Sequence, residues 1–381
     1  MSNSGPVYLD HNSTTPMATE VYDAMLPVLR EDWGNPSSQH AYGFGAREHV
    51  ETARREVAAL LGADPSEILF TSGGTESDNA AVIGVAEALR DRGKHIVTTR
   101  IEHAAVEEPC AYLEGRGWEI TRLGVDSDGR VSVADARDAL RDDTTLVSVM
   151  HANNETGVLQ PVAEIGGLAR ERGIPFHTDA AQSVGKLPVH VEAFHADLLT
   201  IAGHKFYGPK GVGALYLRAG TPFEPFLRGA GHESGQRAGT ENTAAIVGLG
   251  VACRLARMEL PNRTAHLTDM RDRLENGLRE SLPQVVVHGG RVPRLPNTSS
   301  LAIPGCDANA LLSLANGVAG SAGAACHAGK PHVSRTLRGM GVTDELAMAT
   351  MRLTVGCGTT ADQIRSVVDE LTRHAQAITR G

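Results

Sequence analysis

From about residue 50 the chain alternates short apolar runs with amphipathic stretches, and that alternation predicts its architecture. Apolar runs at 68–71, 95–99, 119–124, 146–150, 175–178, 198–201 and 212–217 have the length and β-branched content of buried strands. Helix-like periodicity fills 75–90, the stretch after His103, 134–141 and 162–172. Strands alternating with helices predict an α/β fold with a mainly parallel, seven-stranded-type sheet covered on both faces.

After Leu255 the texture changes. A charged amphipathic helix is predicted over 261–281, followed by short strands at 285–288 and 299–303, a helix over 308–315 and a final strand and helix within 351–378. This pattern predicts a smaller α+β domain. The expected division is a large domain over 20–255 and a small domain formed by 1–19 with 256–381. A chain of 381 residues exceeds what one hydrophobic core usually supports, and two domains fit that length.

Composition narrows the function classes. The formal net charge of -9 disfavours nucleic-acid backbone or an anionic membrane as the main partner, since both call for a basic face. The sequence has no run of about 18 apolar residues and no basic and apolar leader over 1–10, so a cytoplasmic protein is expected. The five cysteines are odd in number and form no C-x-x-C pair, which predicts reduced thiols and no metal site.

The candidate chemistry lies where predicted strands end. Lys205 follows the run 198–201, and Asp179 follows 175–178. Either residue alone commonly does no more than solvate a loop. As a pair they match pyridoxal 5'-phosphate, which requires an amine for its aldehyde and an anion for its pyridine nitrogen. The segment Thr71-Ser72-Gly73-Gly74-Thr75 joins a strand to a helix start, so Gly74 and Thr75 are candidates for a phosphate seat. His103, also between a strand and a helix, could place an imidazole over a flat ring and carry protons near neutrality. Consecutive amides after Met150 make Asn154 a candidate contact to cofactor or substrate. Small residues precede Cys326, and His327 and Lys330 follow it, predicting an exposed, mobile segment whose thiolate is favoured.

With these elements in view, the chain resembles the cysteine desulfurases of the class V aminotransferase group, within the fold-type I pyridoxal-phosphate enzymes. The resemblance rests on Tyr8-Leu9-Asp10-His11-Asn12-Ser13-Thr14-Thr15-Pro16, Gly34-Asn35-Pro36-Ser37-Ser38, Thr178-Asp179-Ala180-Ala181-Gln182, Gly203-His204-Lys205-Phe206-Tyr207-Gly208-Pro209-Lys210-Gly211, Arg237-Ala238-Gly239-Thr240-Glu241-Asn242 and Met351-Arg352-Leu353-Thr354-Val355-Gly356. It implies that Lys205 bonds the cofactor, Asp179 pairs with the ring nitrogen, Gln182 bonds the ring hydroxyl and His103 stacks on the ring. Thr75 and His204 would hold phosphate, and Thr240 would reach the phosphate of a partner subunit. Arg352 would bind the substrate carboxylate, helped by Asn154 and Asn35, and Cys326 would accept sulfur.

The resemblance further implies a homodimer that takes L-cysteine, converts it to L-alanine and passes sulfur to an acceptor protein. Gly323-Ala324-Ala325-Cys326-His327 is closer to the selenocysteine lyases, which makes L-selenocysteine the alternative substrate. An aminotransferase or β-elimination lyase on the same scaffold is the rival reaction. Two further departures stand out: Ala202 and Gly203 occupy positions where relatives often carry a serine, and Cys357 stands where an arginine often follows Val-Gly.

Overall fold

The computed structural model describes residues 5–327 and 330–380, with the side chains of 324–327, 330–332 and 380 outside that description. The chain opens with β1 (Val7–Tyr8), α1 (Thr19–Arg30) and α2 (Ala41–Leu61). It continues through β2 (Ile68–Thr71), α3 (Gly74–Ala88), β3 (His95–Thr99), α4 (Ala104–Glu114), β4 (Glu119–Leu123) and α5 (Val133–Ala139). Next come β5 (Thr144–Ser148), α6 (Val162–Glu171), β6 (Phe176–Asp179), β7 (Leu198–Ala202) and β8 (Gly213–Leu217).

These strands form a 7-stranded sheet in the order β2-β8-β7-β6-β5-β3-β4. Only β8 runs against its neighbours β2 and β7, and the other pairings are parallel. The strands lack the polar alternation of a half-exposed sheet because helices cover both faces: β2, β3, β5, β6 and β7 are buried at every position.

The strand expected at 146–150 begins earlier, at Thr144. Its two leading threonines look polar in sequence, but both are buried and satisfied: Thr144 Oγ1 lies 2.8 Å from His95 Nδ1, and Thr145 Oγ1 donates to His95 O at 3.0 Å. Helices α1 and α2 had no counterpart in the sequence reading. The inner stripe of α2 is largely alanine and valine (Ala46, Val50, Ala53, Val57) with Gly43 near its start, a weak apolar signal that tertiary burial completes.

The helix expected at 261–281 starts much earlier. It is α7 (Thr243–Ser281), 39 residues long, capped by Asn242, whose side chain accepts from Ala245 N. Pro261 interrupts its hydrogen-bond ladder on the exposed face, where water can satisfy the freed carbonyl, so the helix continues. Residue 255 therefore lies inside a helix rather than in a linker. The first half of α7 packs Ile246, Leu249 and Ala252 into the core beneath the large sheet. The second half packs Leu267, Met270 and Leu274 into a separate core.

That second core lies against β9 (Val286–Val287), β10 (Thr298–Ala302), α8 (Ala308–Leu314), β11 (Val318–Ala319) and β12 (Ser321–Ala322). The chain then forms the hairpin β13 (Ala324–His327) and β14 (Lys330–Val333), followed by α9 (Arg335–Gly339), α10 (Asp344–Met348), β15 (Thr350–Thr354) and α11 (Ala361–Arg380). A 4-stranded sheet runs β12-β15-β10-β9, while β1 pairs with β11. Among the described residues no helix is long and apolar enough to cross a membrane.

Candidate active site

The parallel strands deliver their chemistry at one edge of the sheet. β2 ends before Gly73, β3 before His103, β5 before Asn154, β6 at Asp179 and β7 before Lys205. Since parallel strands share a direction, residues that follow them meet at the carboxyl ends, where ligands of such sheets bind.

Lys205 closes a single 3-10 turn after β7. Its Nζ donates to the carbonyls of Asn12 at 2.7 Å and Ser13 at 2.9 Å. Burial, reinforced by the nearby Arg352 charge, pushes the amine down to about 8, with Asp179 and Asp10 opposing. The N-terminal segment clamps this turn. Thr15 N donates to His204 O at 2.9 Å, and Tyr207 N donates to Thr15 Oγ1 at 2.7 Å. Tyr207 takes φ +72, an unusual conformation for a residue with a side chain, and its hydroxyl accepts from Cys357 N at 2.7 Å. Cys357, unexplained in the sequence, therefore presents its backbone to this turn while remaining an exposed free thiol.

Asn12 is the junction the sequence reading passed over. Its carbonyl takes both Lys205 Nζ and Gln182 Nε2, the latter at 2.9 Å. Its amide nitrogen donates to Thr298 Oγ1 at 2.9 Å and Asn154 O at 3.2 Å, and its amide oxygen accepts from Asn297 Nδ2 at 3.0 Å. A second lysine, Lys186, is buried beside it, also unforeseen. The only sequence signal for Asn12 was its place in the run 8–16, and no local pattern announces contacts to residues almost 300 positions away.

Asp179 ends β6 fully inside the protein. One carboxyl oxygen accepts from Ala181 N at 2.8 Å, and burial holds its pKa above the usual carboxylate range, with the charges of His103 and Lys205 opposing. Behind it Asp78 of α3 is also buried and shifted upward, first by desolvation and then by Asp179. Asp78 Oδ1 lies 3.5 Å from His177 Nε2, but burial favours the neutral form of both, pushing His177 down to about 3. The contact is therefore not an ion pair. Burial raises Asp78 well above the usual carboxylate range and Asp179 above it, so of the two Asp179 is the more readily ionised. His103 caps α4: its Nδ1 accepts from Ala105 N at 3.1 Å, so a neutral ring carries its proton on Nε2.

Helix α3 begins without a side-chain cap. The N–H groups of Gly74, Thr75 and Glu76 have no intramolecular acceptor among the described residues, which leaves a helix N-terminus open to an anion. Gly73 adopts φ +145, a conformation that favours glycine, and a Cβ on Gly213 of β8 would lie 2.9 Å from Gly73 backbone atoms, so the close approach needs glycine at 213. A Cβ on Gly74 would lie 3.4 Å from Ala202 Cβ, which sets the helix start against the strand that carries Lys205. His204 joins the group, its Nδ1 3.1 Å from Thr14 Oγ1. Thr240 does not: it is exposed, on a segment tied to α3 by the Arg237–Glu76 pair at 2.7 Å.

Arg352 lies on β15 between Ser300 and Ser321. Its Nη1 donates to Asn154 O at 3.0 Å, and its Nη2 donates to Ser13 Oγ at 2.6 Å and Asp10 Oδ1 at 2.7 Å. Nε is buried without a hydrogen-bond partner among the described residues. A cavity of about 330 Å³ opens here, lined by Asn154, Glu155, Ser321, Ser334, Arg335 and Arg352. Asn35 is not brought to it. It is exposed, with Oδ1 accepting from Ser37 N at 2.9 Å. The segment around Cys326, expected as a loop, carries a hairpin that places Cys326 opposite Pro331. The side chains of Cys326, His327 and Lys330 lie outside the described residues.

This arrangement defines a known class of α/β enzyme scaffold. A NifS-like protein of solved structure matches it with a TM-score of 0.90 at 35% identity, covering 97% of this chain and 98% of that one. The chain matches the family model for class V aminotransferases over residues 7–367 and belongs to that family. It is 46% identical over 369 residues to the cysteine desulfurase IscS of Dictyoglomus turgidum, covering 96% of this chain and 94% of the relative. A solved structure described as SspA in complex with cysteine matches with a TM-score of 0.82 at 35% identity, covering 92% of this chain and 98% of that one.

Proposed function

We propose that the chain is a pyridoxal-phosphate-dependent cysteine desulfurase, which converts L-cysteine to L-alanine and retains the sulfur as a persulfide on Cys326. One observation carries this reading: Lys205, Asp179, Gln182, His103 and the open start of α3 converge on one sheet edge, with Arg352 beside them. The residues fit the cofactor. Lys205 supplies an amine that burial brings down to about 8, Asp179 a buried carboxyl, α3 three N–H donors for phosphate, and Arg352 a buried Nε for a carboxylate.

When bound, pyridoxal phosphate supplies an electron sink for the substrate carbon it holds. Gln182 and His103 orient its ring, and Gly74, Thr75 and His204 take its phosphate. Arg352 fixes the substrate carboxylate with help from Asn154. Lys205, with an amine that titrates near neutrality, moves the proton at the substrate α-carbon. The Cys326 thiolate then attacks the substrate sulfur. An S–S bond forms, the C–S bond breaks, and its electron pair stays with the carbon fragment, which takes up a proton and leaves as alanine.

We further propose a homodimer in the cytoplasm, in which the exposed Thr240 serves the site of the opposite subunit. The proposed division of the chain keeps 20–255 as the cofactor domain and 1–19 with 256–381 as the domain carrying Arg352 and Cys326. A sulfur-acceptor protein would take the persulfide sulfur.

The test is to incubate cofactor-loaded enzyme with L-cysteine and analyse both products. Alanine and a one-sulfur mass increase on the Cys326 peptide are expected, with L-selenocysteine assayed in parallel. Pyruvate in place of alanine, or an amino group transferred to a keto acid, would overturn the reading in favour of the lyase or aminotransferase.

A further inference from the structure

Lys186 is buried at 5% exposure in the turn after β6, and no carboxylate pairs with it among the described residues. Its Nζ instead donates to two amide oxygens, Gln182 Oε1 at 3.1 Å and Asn12 Oδ1 at 3.2 Å. Its backbone is fixed as well: Lys186 O accepts from Thr264 Oγ1 of α7 at 2.8 Å. A charged side chain is costly to bury without an anion, and burial, reinforced by the Lys205 and Arg352 charges, pushes this amine down to about 7, so it is an ammonium on the acid side of that value. The contacts it does make indicate what it does.

An ammonium group only donates hydrogen bonds, whereas an amide has one accepting and one donating end. Facing the protonated Lys186, both amides turn their oxygens inward, Asn12 with the added help of Asn297 Nδ2, which donates to the same Oδ1 at 3.0 Å. Their NH2 groups then point the other way: Gln182 Nε2 toward Asn12 O at 2.9 Å, and Asn12 Nδ2 toward Thr298 Oγ1 and Asn154 O. Flipping either amide would set NH2 against the ammonium. The consequence reaches both halves of the site. Asn12 O also receives Lys205 Nζ, and Asn154 O also receives Arg352 Nη1.

We infer that Lys186 is a positioning residue that sets the amide orientation of Gln182 and Asn12, so that Gln182 presents an N–H to the cofactor ring oxygen. The inference rests on the proposed pyridoxal-phosphate function. Lys186 touches neither cofactor nor substrate in this scheme and acts through the two amides. The charged or titratable groups that face it are Lys205, Arg352, Cys357 and His11.

The test is a double-mutant cycle of Lys186→Met, which keeps the length and removes the donors, with Gln182→Leu. Cofactor dissociation and the pH midpoint of the visible cofactor band are measured in all four proteins. Lys186→Met alone should weaken cofactor binding about 10-fold and move the midpoint, while the same substitution in the Gln182→Leu background should have little further effect. Equal effects in both backgrounds, or an unmoved midpoint in Lys186→Met, overturn the inference. Should Lys186→Met not fold, Lys186→Gln, which retains one NH2 donor, replaces it in the cycle with the same criteria. If wild-type protein forms no covalent cofactor linkage at Lys205, the proposed function fails instead, so the two failures are distinguishable.

Discussion

Arg352 is joined to Asp10 by a 2.7 Å contact from Nη2 to Oδ1, which leaves Nε of the guanidinium buried and unpartnered among the described residues. Asp10 and Ser13 hold the Nη2 end, while Asn154 O takes Nη1. The side chain is thus fixed before any substrate arrives, a preorganised donor for a carboxylate.

Arg352→Lys tests this geometry. A lysine can still approach Asp10, but it has no Nε and no planar fork. Losing charge-assisted hydrogen bonds of this kind should raise KM for cysteine about 10- to 100-fold, with the visible spectrum of the bound cofactor unchanged. An unaltered KM would remove Arg352 from the substrate site.

Cofactor loading should follow the protonation of Lys205. Its amine is pushed down to about 8 by burial and by Arg352, and only the unprotonated amine attacks an aldehyde. The rate of covalent loading onto cofactor-free protein should therefore rise with pH to a plateau, half-maximal near pH 8. Lys205→Ala should form no covalent linkage. Borohydride reduction followed by peptide mapping checks the site, and an adduct on Lys186 or Lys210 would contradict the assignment.

Much of the candidate site was legible because β6 ends in, and β7 is closely followed by, a charged residue unlike the run before it. Lys205 and Asp179 stand out on those grounds. What stayed hidden depends on contacts remote in sequence. Asn12 looks like one more loop residue until it meets Gln182, Thr298 and Lys205, and Lys186 looks like a surface lysine until α7 covers it. The early helices α1 and α2 and the first half of α7 were hidden for another reason. α1 buries only Val21 and Val28, alanine and glycine dilute the valines and leucines on the inner faces of α2 and α7, and a proline, read as a start, interrupts α7 midway.

Glu102 gives a stability test independent of catalysis. It accepts from Thr99 Oγ1 at 2.8 Å and Met150 N at 3.0 Å, yet its other oxygen is buried without a partner among the described residues, and burial raises its pKa to about 8. A carboxyl whose pKa is higher folded than unfolded favours the fold while protonated. That stability is full below the unfolded value of about 4.3 and is lost as pH rises through the folded value of about 8. Glu102→Gln keeps an accepting oxygen and cannot ionise. Relative to wild type, it should gain on the order of a few kcal/mol as pH rises from about 5 to about 8. Denaturant unfolding at several pH values measures this, and parallel pH profiles for the two proteins would show that Glu102 is already ionised in the fold.

Cys326 separates a desulfurase from the other reactions this scaffold supports. Its backbone lies in the β13–β14 hairpin, which forms its own 2-stranded sheet with no ladder to the larger ones among the described residues. The hairpin's second strand is anchored at one end, where Val333 packs with Leu337, Met340 and Ala347. The cavity at its base is lined by Gly323, Val333 and Arg352, the proposed carboxylate-binding residue. Cys326→Ser replaces the thiolate with a hydroxyl that is a far weaker nucleophile at neutral pH. The variant should load cofactor and bind cysteine with the wild-type spectral change, but it should form no persulfide and release no sulfide. Activity retained toward selenocysteine alone would favour the lyase, because selenium leaves more readily without a nucleophile. Sulfide production from cysteine at the wild-type rate would exclude Cys326 as the acceptor. Cys357, the exposed free thiol whose N–H meets the Tyr207 hydroxyl, would then be the next to replace.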